Sequence, residues 1–415
     1  MGRVTMKRIL TWLAACCLLC AFCSCGAKDK AEETILSSGA VSEVSLPGTT
    51  VSLEPGSEKF GSGEEKVISQ ISLAETWNSG VTVDAEVSLI NQEKLATYTG
   101  NLRIFTAEEA ASALGLSLED AVDSQINPSS LGGLVEGEHA YYQFEDGSSF
   151  VCNTTRVFFY TETYLKIHDL LVLHGKDANN EIFLTGKALP FATIEEAQGE
   201  IQGVIEQLDL PVIDEPACYT LNYEDLYEEN ERQYEASEEL VSGLEMEPPA
   251  KLEITEDDAC YVFVYPVAVN GLPLSPYLNG VYGDGSLTSG TELVVCYDKN
   301  GIAGFDFTFV PDDITASNGE TALSLEEILA REEEKYNSLI LEGEYFIYEI
   351  RQEYIAQPIS SQKNRFTFLP VWRFSVAHTY EVDKGDGTGS VLQVEETSFD
   401  IYNAITGEEI PYDIG

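Results

Sequence analysis

The chain has 415 residues, enough for two or three domains of ordinary size, and it carries 71 acidic side chains against 23 basic ones, for a formal charge of −48. This balance excludes nucleic acid as a partner, because phosphate contacts need clustered Lys and Arg. Disorder of the whole chain is excluded as well, since 44% of the residues are hydrophobic and 10% are aromatic. We expect the acidity to be mainly a solvated surface, with attraction of a cationic partner or of divalent ions as the alternative.

The first 25 residues have the pattern of a bacterial export signal. Basic side chains precede an apolar stretch at residues 9–22, which is too short to span a bilayer as a helix. The stretch leads into small residues before Cys25, and this arrangement resembles the lipobox of bacterial lipoproteins. The resemblance implies cleavage before Cys25, a diacylglyceryl group on its thiol, and attachment to the outer face of the cell membrane through the lipid. Cys23 is the alternative acceptor, and secretion without a lipid or an uncleaved anchor remains open.

Residues 26–66 change sharply in composition. Ser, Gly, Glu and Pro dominate, and neither a helical nor a strand period persists. Such a segment predicts a flexible tether, whose mean reach for about 40 residues is on the order of 35 Å. The tether would hold a folded body near the membrane and leave it free to turn.

Residues 67–190 are expected to form an N-terminal α+β domain. Strand patterns occur at residues 81–89, 101–105, 140–144 and 156–160. Thr106 opens a sequence typical of a helix N-terminus, and a hairpin is expected around residues 177–180. If residues 165–174 formed one continuous strand, His168 and His174 would share a face but lie about 20 Å apart, too far to bind one metal ion.

Two further modules are predicted at residues 191–318 and 319–415, each a helix followed by antiparallel strands. Thr193 and Ser324 open the same capping sequence as Thr106, a hydroxyl residue followed by paired Glu, and apolar residues then recur at helical spacing. The predicted fold class is α+β: tandem modules of a helix packed on an antiparallel sheet, after a signal peptide and a flexible tether. Whether residues 67–190 are a third copy stays open.

Four cysteines follow the signal in the expected body of the protein: Cys152, Cys218, Cys260 and Cys296. An even number in an exported protein permits two disulfides in three connectivities. We favour buried thiols over bridges, because Cys260 alternates with valines as a small apolar strand residue would. The four histidines show no zinc-ligand spacing, so neither a metal site nor a cofactor is predicted.

Three segments of the last module carry a family resemblance: the Glu-Glu helix start after Ser324, the strand sequence Leu-Pro-Val-Trp-Arg-Phe at 369–374, and the turn at 401–408, where Asn403 replaces an Asp. These segments resemble the PepSY-like α+β domains found outside the membrane in Gram-positive bacteria, including accessory regulators of cell-wall sensor kinases. The whole chain is also similar to large uncharacterised lipoproteins of anaerobic gut Clostridia. The resemblance implies inhibition of a protease or modulation of a membrane partner, and it carries over no catalytic residue.

The sequence therefore favours a non-enzymatic, membrane-anchored lipoprotein that binds a protein or peptide partner. One alternative is a solute- or ion-binding lipoprotein. The other is a cell-wall or glycan hydrolase that uses paired carboxylates, although acids are so abundant here that their spacing identifies no pair.

Overall fold

A computed structural model describes residues 68–131, 135–173, 178–213, 215–242, 250–276, 292–359, 362–383 and 391–411. The predicted signal peptide and tether, with Cys25 and Cys23, lie outside the described residues.

Strands dominate the described part of the chain. They are β1 (Ile68–Thr76), β2 (Thr82–Ile90), β3 (Lys94–Leu95), β4 (Tyr98–Leu102), β5 (Asp123–Leu131), β6 (Val135–Gln143), β7 (Ser149–Asn153), β8 (Arg156–Tyr160), β9 (Ala217–Leu221), β10 (Cys260–Pro266), β11 (Ala268–Val269), β12 (Leu272–Pro273), β13 (Glu292–Asp298), β14 (Gly301–Thr308), β15 (Pro311–Ala316), β16 (Glu320–Thr321), β17 (Glu344–Pro358), β18 (Phe366–Asp383) and β19 (Val391–Asn403). The α-helices are α1 (Ala107–Ala113), α2 (Glu162–Leu170), α3 (Asn180–Phe183), α4 (Ile194–Gln207), α5 (Tyr223–Ser242) and α6 (Leu325–Ser338). Across the described residues, no helix combines the length and the apolar character needed to span a bilayer.

Two large sheets contain most of these strands. Sheet 1 runs in the order β1-β2-β17-β18-β4-β15, and β19 pairs with β18 beside this path. Sheet 2 runs in the order β5-β6-β7-β8-β14-β13-β10-β9. The pairing of β2 with β17 is parallel, whereas the other neighbours in both sheets are antiparallel.

The mixed α+β class is confirmed, but the strand pairing differs from the predicted tandem arrangement. In sheet 1, β2 and β4 from the predicted domain at 67–190 pair with β17 and β18 from the predicted module at 319–415. In sheet 2, β8 from the first of these segments pairs with β14 from the segment at 191–318. The physical reason is that capping sequences and apolar periods define single elements, whereas partner choice between strands depends on packing between residues far apart in the chain.

Helices cover both faces of sheet 2. On one face α1 and α4 pack through buried side chains such as Ala110 and Ile201. On the other face α2, α3 and α5 pack through Ile167, Phe183 and Leu226. Both faces of sheet 2 are therefore buried in apolar clusters.

Sheet 1 carries α6 on one face. Ile328 and Tyr336 of α6 are buried there with Trp372 and Phe374 of β18. A smaller apolar cluster that includes Val371 lies on the opposite face.

Several local predictions are confirmed. Thr106, Thr193 and Ser324 are the N-caps of α1, α4 and α6, and the last two make both bonds of the capping box. The predicted strand at 156–160 is β8.

Residues 162–170 form helix α2, for which no prediction was made. Thr161 caps its N-terminus, and Tyr164, Ile167 and Leu170 are buried at helical spacing. One local prediction is wrong. The expected hairpin around 177–180 is absent from its described residues, where α3 begins at Asn180. Local polarity suggested a turn there, but the burial of Phe183 favours a short helix.

We predict that a fragment of residues 319–415 does not fold by itself. β17 and β18 would lose β2 and β4, and buried side chains such as Ile350 and Phe368 would face water. Exposure of each large apolar side chain costs about 1.5–3 kcal/mol, so we expect no cooperative thermal transition by near-ultraviolet circular dichroism. The full chain is the control, and a sharp transition of the fragment would instead support independent modules.

Candidate functional site

Five aromatic side chains form a row across one end of sheet 1, which we call the aromatic row: Trp77, Tyr336, Tyr345, His378 and Tyr380. Successive ring centroids lie 6.2, 5.5, 4.1 and 4.8 Å apart. The Tyr345 and His378 rings are stacked, with 14° between their planes. Trp77 and Tyr336 are buried, whereas the other three rings are half-buried. The row therefore runs from the core to the surface.

Strand register brings the surface end of the row together. Tyr345 on β17 is the direct partner of His378 on β18, and His378 is also the direct partner of Glu396 on β19. Direct partners in antiparallel strands share a face of the sheet. Tyr380 follows two residues after His378 on the same face, and its hydroxyl donates to Oε1 of Glu396 at 2.6 Å. Three strands thus contribute to one surface.

A glycine just before β17 allows the backbone to approach His378. Gly343 has a φ of +88°, and a Cβ at this position would lie 2.2 Å from the carbonyl oxygen of Thr379. The carbonyl oxygen of Glu342 lies 2.5 Å from Nε2 of His378. Because a carbonyl oxygen can only accept, Nε2 carries a hydrogen atom in this arrangement.

The surroundings of these rings are acidic and partly apolar. Glu342 and Glu396 are exposed, and the segment after α6 presents Leu339 and Ile340 with exposed fractions of 51% and 96%. No Lys or Arg occurs in the described segments 339–346, 376–381 and 394–399. We call this region the aromatic–acidic surface: Leu339, Ile340, Glu342, Tyr345, His378, Tyr380 and Glu396.

Two carboxyl groups lie together beneath α6, beside the aromatic row, and we call them the acid pair: Glu332 and Asp400. The Tyr402 hydroxyl donates to Oε2 of Glu332 at 2.5 Å. Asp400 accepts from the Tyr336 hydroxyl at 2.8 Å and from Nζ of Lys335 at 2.7 Å. Glu332 is fully buried, and within the described part of the chain its Oε1 has no hydrogen-bond partner.

This environment favours the protonated form of Glu332. Burial, followed by the negative charge of Asp400, raises the pKa of Glu332 well above its usual range. Burial also raises the pKa of Tyr336, whose hydroxyl therefore remains a hydrogen-bond donor. Tyr336 belongs both to the acid-pair network and to the aromatic row, so the two features share one side chain.

On the opposite face of sheet 1, a buried arginine holds two carboxylates. Arg373 is fully buried; its Nε donates to Glu353 at 2.7 Å, and its terminal nitrogens lie 3.1 Å from Oε2 of Glu349. Burial alone would raise the pKa of Glu349, but the charges of Arg373 and Arg351 outweigh burial and lower this pKa to about 2. Since the opposite charges meet directly, we assign the cluster a role in holding β17 against β18.

An open cleft of about 340 Å³ lies beside α2. Its charged side chains already pair with one another: Nζ of Lys166 is 3.0 Å from Asp258, and Nζ of Lys299 is 2.5 Å from Asp257. The cleft is thus lined by three carboxylates and two lysines that form ion pairs with one another, and we assign it no ligand.

The four cysteines of the body are free thiols: Cys152, Cys218, Cys260 and Cys296. Burial raises the pKa of Cys152 and of Cys218 to about 12, which makes both thiols poor nucleophiles at neutral pH. The predicted lipidation site, Cys25, lies outside the described residues.

The histidines are dispersed. His139 lies on β6, His168 on α2 and His378 on β18, and His174 is outside the described residues. Among the residues that the structure describes, no group of three or more His, Cys, Asp or Glu side chains is arranged to hold a metal ion. Of the three described histidines, His378 alone belongs to the aromatic–acidic surface.

Comparison with known proteins gives a fold and no activity. No family model matches the chain, and no curated protein matches it. The crystal structure of an uncharacterized protein from Eubacterium rectale ATCC 33656 is similar, with a TM-score of 0.58 and 18% sequence identity over 83% of this chain and 94% of that chain. Likeness at this identity shows the fold alone. It is consistent with a relation to uncharacterised proteins of Clostridia, while the PepSY-like and lipoprotein assignments remain predictions.

Sequence reasoning did not find the aromatic row. Trp77 and Tyr380 are separated by some three hundred positions, and no local motif joins the five rings. The available signal was the position of Tyr345 and His378 in two long strand-like segments. The sequence does not show that these two rings share a face, because this depends on the register of β17 against β18.

We predict that Glu332→Gln raises the free energy of unfolding at pH 8 but not at pH 4.5. Gln keeps the shape of Glu332 and can accept from Tyr402, but it carries no charge. A carboxyl group whose pKa is raised by folding stabilises the protein below its unfolded pKa, and this contribution is lost as the pH rises through the folded pKa. We therefore expect the midpoint of urea unfolding to rise for the variant at pH 8 and to stay unchanged at pH 4.5.

The matched control is Glu334→Gln, on the exposed side of the same helix. It should change stability little at either pH. An equal effect of Glu332→Gln at both pH values would show that the charge of Glu332 plays no part.

Proposed function

We propose that the protein is a non-enzymatic binding protein, which uses the aromatic–acidic surface to bind a positively charged segment of a protein or peptide partner outside the membrane. The observation that supports this proposal is the set of half-buried rings at Tyr345, His378 and Tyr380 beside the exposed carboxylates of Glu342 and Glu396.

Lys and Arg side chains suit such a surface because each joins an apolar stem to a cationic head. The stem can pack on the aromatic edges and on Ile340, while the head meets Glu342 or Glu396. A cation beside an exposed aromatic ring gains about 0.5–1 kcal/mol in addition. The net charge of −48 attracts a basic partner from a distance and repels an acidic one.

The proposed location is the outer face of the cell membrane, with a lipid on Cys25. The export-signal pattern of residues 1–25 supports it, and residues 26–66 would act as the tether. A binding surface carried on such a tether would meet partners close to the membrane.

The described residues favour neither a solute-binding protein nor a hydrolase. Glu349 and Glu353 are occupied by Arg373, and Glu332 is buried away from solvent. The cleft beside α2 has paired lysines.

A photo-crosslinking amino acid in place of Ile340 should capture a protein partner in intact cells, because this side chain is 96% exposed within the aromatic–acidic surface. The captured protein should be enriched in the membrane fraction and identified by mass spectrometry. Combining the probe with Glu342→Gln and Glu396→Gln should lower the yield several-fold, since each exposed ion pair contributes roughly 0.2–1 kcal/mol.

The same probe in place of Leu184 is the control, because this residue is 46% exposed but belongs to the segment after α3. The proposed surface would be contradicted if the probes at Ile340 and Leu184 captured the same proteins, or if the Glu342→Gln and Glu396→Gln substitutions left the crosslinking yield unchanged.

We predict that Cys25→Ala releases the protein from the membrane. Without the thiol no diacylglyceryl group can be attached, and the strongly acidic body would gain nothing from anionic head groups. Fractionation and metabolic labelling with a radioactive fatty acid measure the change. If the label persists in Cys25→Ala and disappears in Cys23→Ala, the acceptor is Cys23.

A further inference from the structure

The first described strand forms an open edge of sheet 1. β1 pairs with β2 in an uninterrupted register from Ile68 to Thr76. Within the ranges that the structure describes, no strand pairs with the other side of β1. An edge of this kind presents a row of backbone N–H and C=O groups that an added strand can use.

The other sheet edges carry features that discourage such pairing. β15 changes register between Asp312 and Thr315, and β5 contains Pro128. β19 presents Glu395 and Glu396, and β9 has only five residues. Bulges, proline, charge and short length are the usual protections of an edge strand. β1 has nine residues in unbroken register, with no Pro and with Glu75 as its single charged residue, so three of the four protections are absent and the fourth is weak.

The two faces of β1 differ. Ile71 and Leu73 face the core of sheet 1 but are only partly buried, so a strand beside them would cover them further. Gln70, Ser72 and Ala74 point to the other face and are exposed. Residues of an incoming strand would alternate between these two faces.

Acidic side chains of β2 lie on this same exposed face, next to β1. Asp84 is the direct partner of Ala74, and Glu86 is the direct partner of Ser72. Both carboxylates are exposed, and neither makes an ion pair within the described part of the chain. An incoming strand would lie two strand spacings from β2, about 10 Å, which a Lys or Arg side chain can cross to reach a carboxylate.

We infer that β1 accepts an added strand from a partner protein, supplied by an extended segment in which apolar and basic residues alternate. The apolar positions cover Ile71 and Leu73, and the basic positions reach Asp84 and Glu86. This surface is separate from the aromatic–acidic surface, and the inference does not depend on it.

A second copy of the chain is a poorer occupant of the edge. Each copy carries a net charge of −48, and the β2 strand of each would bring Asp84 and Glu86 toward the same contact. A basic segment turns this repulsion into attraction.

The test uses the full-length protein and a nine-residue peptide of alternating Val and Lys. Two control peptides have the same charge. One is N-methylated at every backbone amide, so neither of its edges can pair as a strand, and the other groups its Val and Lys residues in blocks. Hydrogen exchange of residues 68–76 reports on the edge directly, because new backbone bonds protect the amides that point outward. At saturation we expect exchange of this segment to slow at least about tenfold with the alternating peptide alone.

The double substitution Asp84→Asn with Glu86→Gln should weaken binding about threefold to tenfold. Its matched control is Glu119→Gln with Asp120→Asn, which removes the same charge from exposed positions elsewhere. His378→Ala should leave the affinity for the peptide unchanged, so failure of this inference and failure of the proposed function are distinguishable.

Three results would overturn the inference. If the N-methylated peptide slowed exchange of residues 68–76 equally, the peptide would be binding through its positive charge and not as an added strand. Slow exchange of the outward-pointing amides of residues 68–76 before any peptide is added would show that this chain, or a second copy, already covers the edge. Absence of binding by the alternating peptide would show that β1 does not accept a basic strand.

Discussion

The pairing of β17 with β18 is the contact on which sheet 1 depends. It joins strands of 15 and 18 residues, and each then takes partners from the beginning of the described chain: β2 beside β17 and β4 beside β18. Arg373 of β18 lies across this pairing, bound to Glu349 and Glu353 of β17. A buried charge that loses its partner destabilises a protein by about 3–5 kcal/mol, so these contacts favour one register over its alternatives.

The same register creates the candidate site. A shift of one residue would send His378 to the opposite face and separate it from Tyr345 and Glu396. Helix α6 joins the core to this surface. Its last turn places the Tyr336 ring between the buried Trp77 ring and the half-buried Tyr345 ring. The Tyr336 hydroxyl donates a hydrogen bond to Asp400. Tyr336 therefore takes part in the packing of α6, in the acid-pair network and in the inner end of the aromatic row.

The helices of this fold were more predictable than its sheets. Thr193 and Ser324 specify helix starts through contacts within four residues, and such contacts are visible in the sequence. Partner choice is different: β2 meets β17 across more than 250 positions, and the apolar alternation of each strand fits many partners equally well. Helix α2 was not predicted, although Thr161 provides an N-cap and Tyr164, Ile167 and Leu170 follow the helical period. The site could not be predicted because it depends on strand register, which no local pattern encodes.

The acidity of the chain does not by itself identify a binding surface. Acidic residues outnumber basic ones by 48, so most exposed carboxylates must lie far from any cation. Their summed field speeds the approach of a basic partner and weakens with salt, but it selects no place on the surface. Selection requires groups that gain from contact at short range. Sheet 1 has groups of this kind where half-buried rings meet Glu396, and where β1, which has no second neighbour among the described strands, lies beside Asp84 and Glu86. The two proposed surfaces lie there because long-range attraction and short-range complementarity together give protein interfaces both rate and specificity.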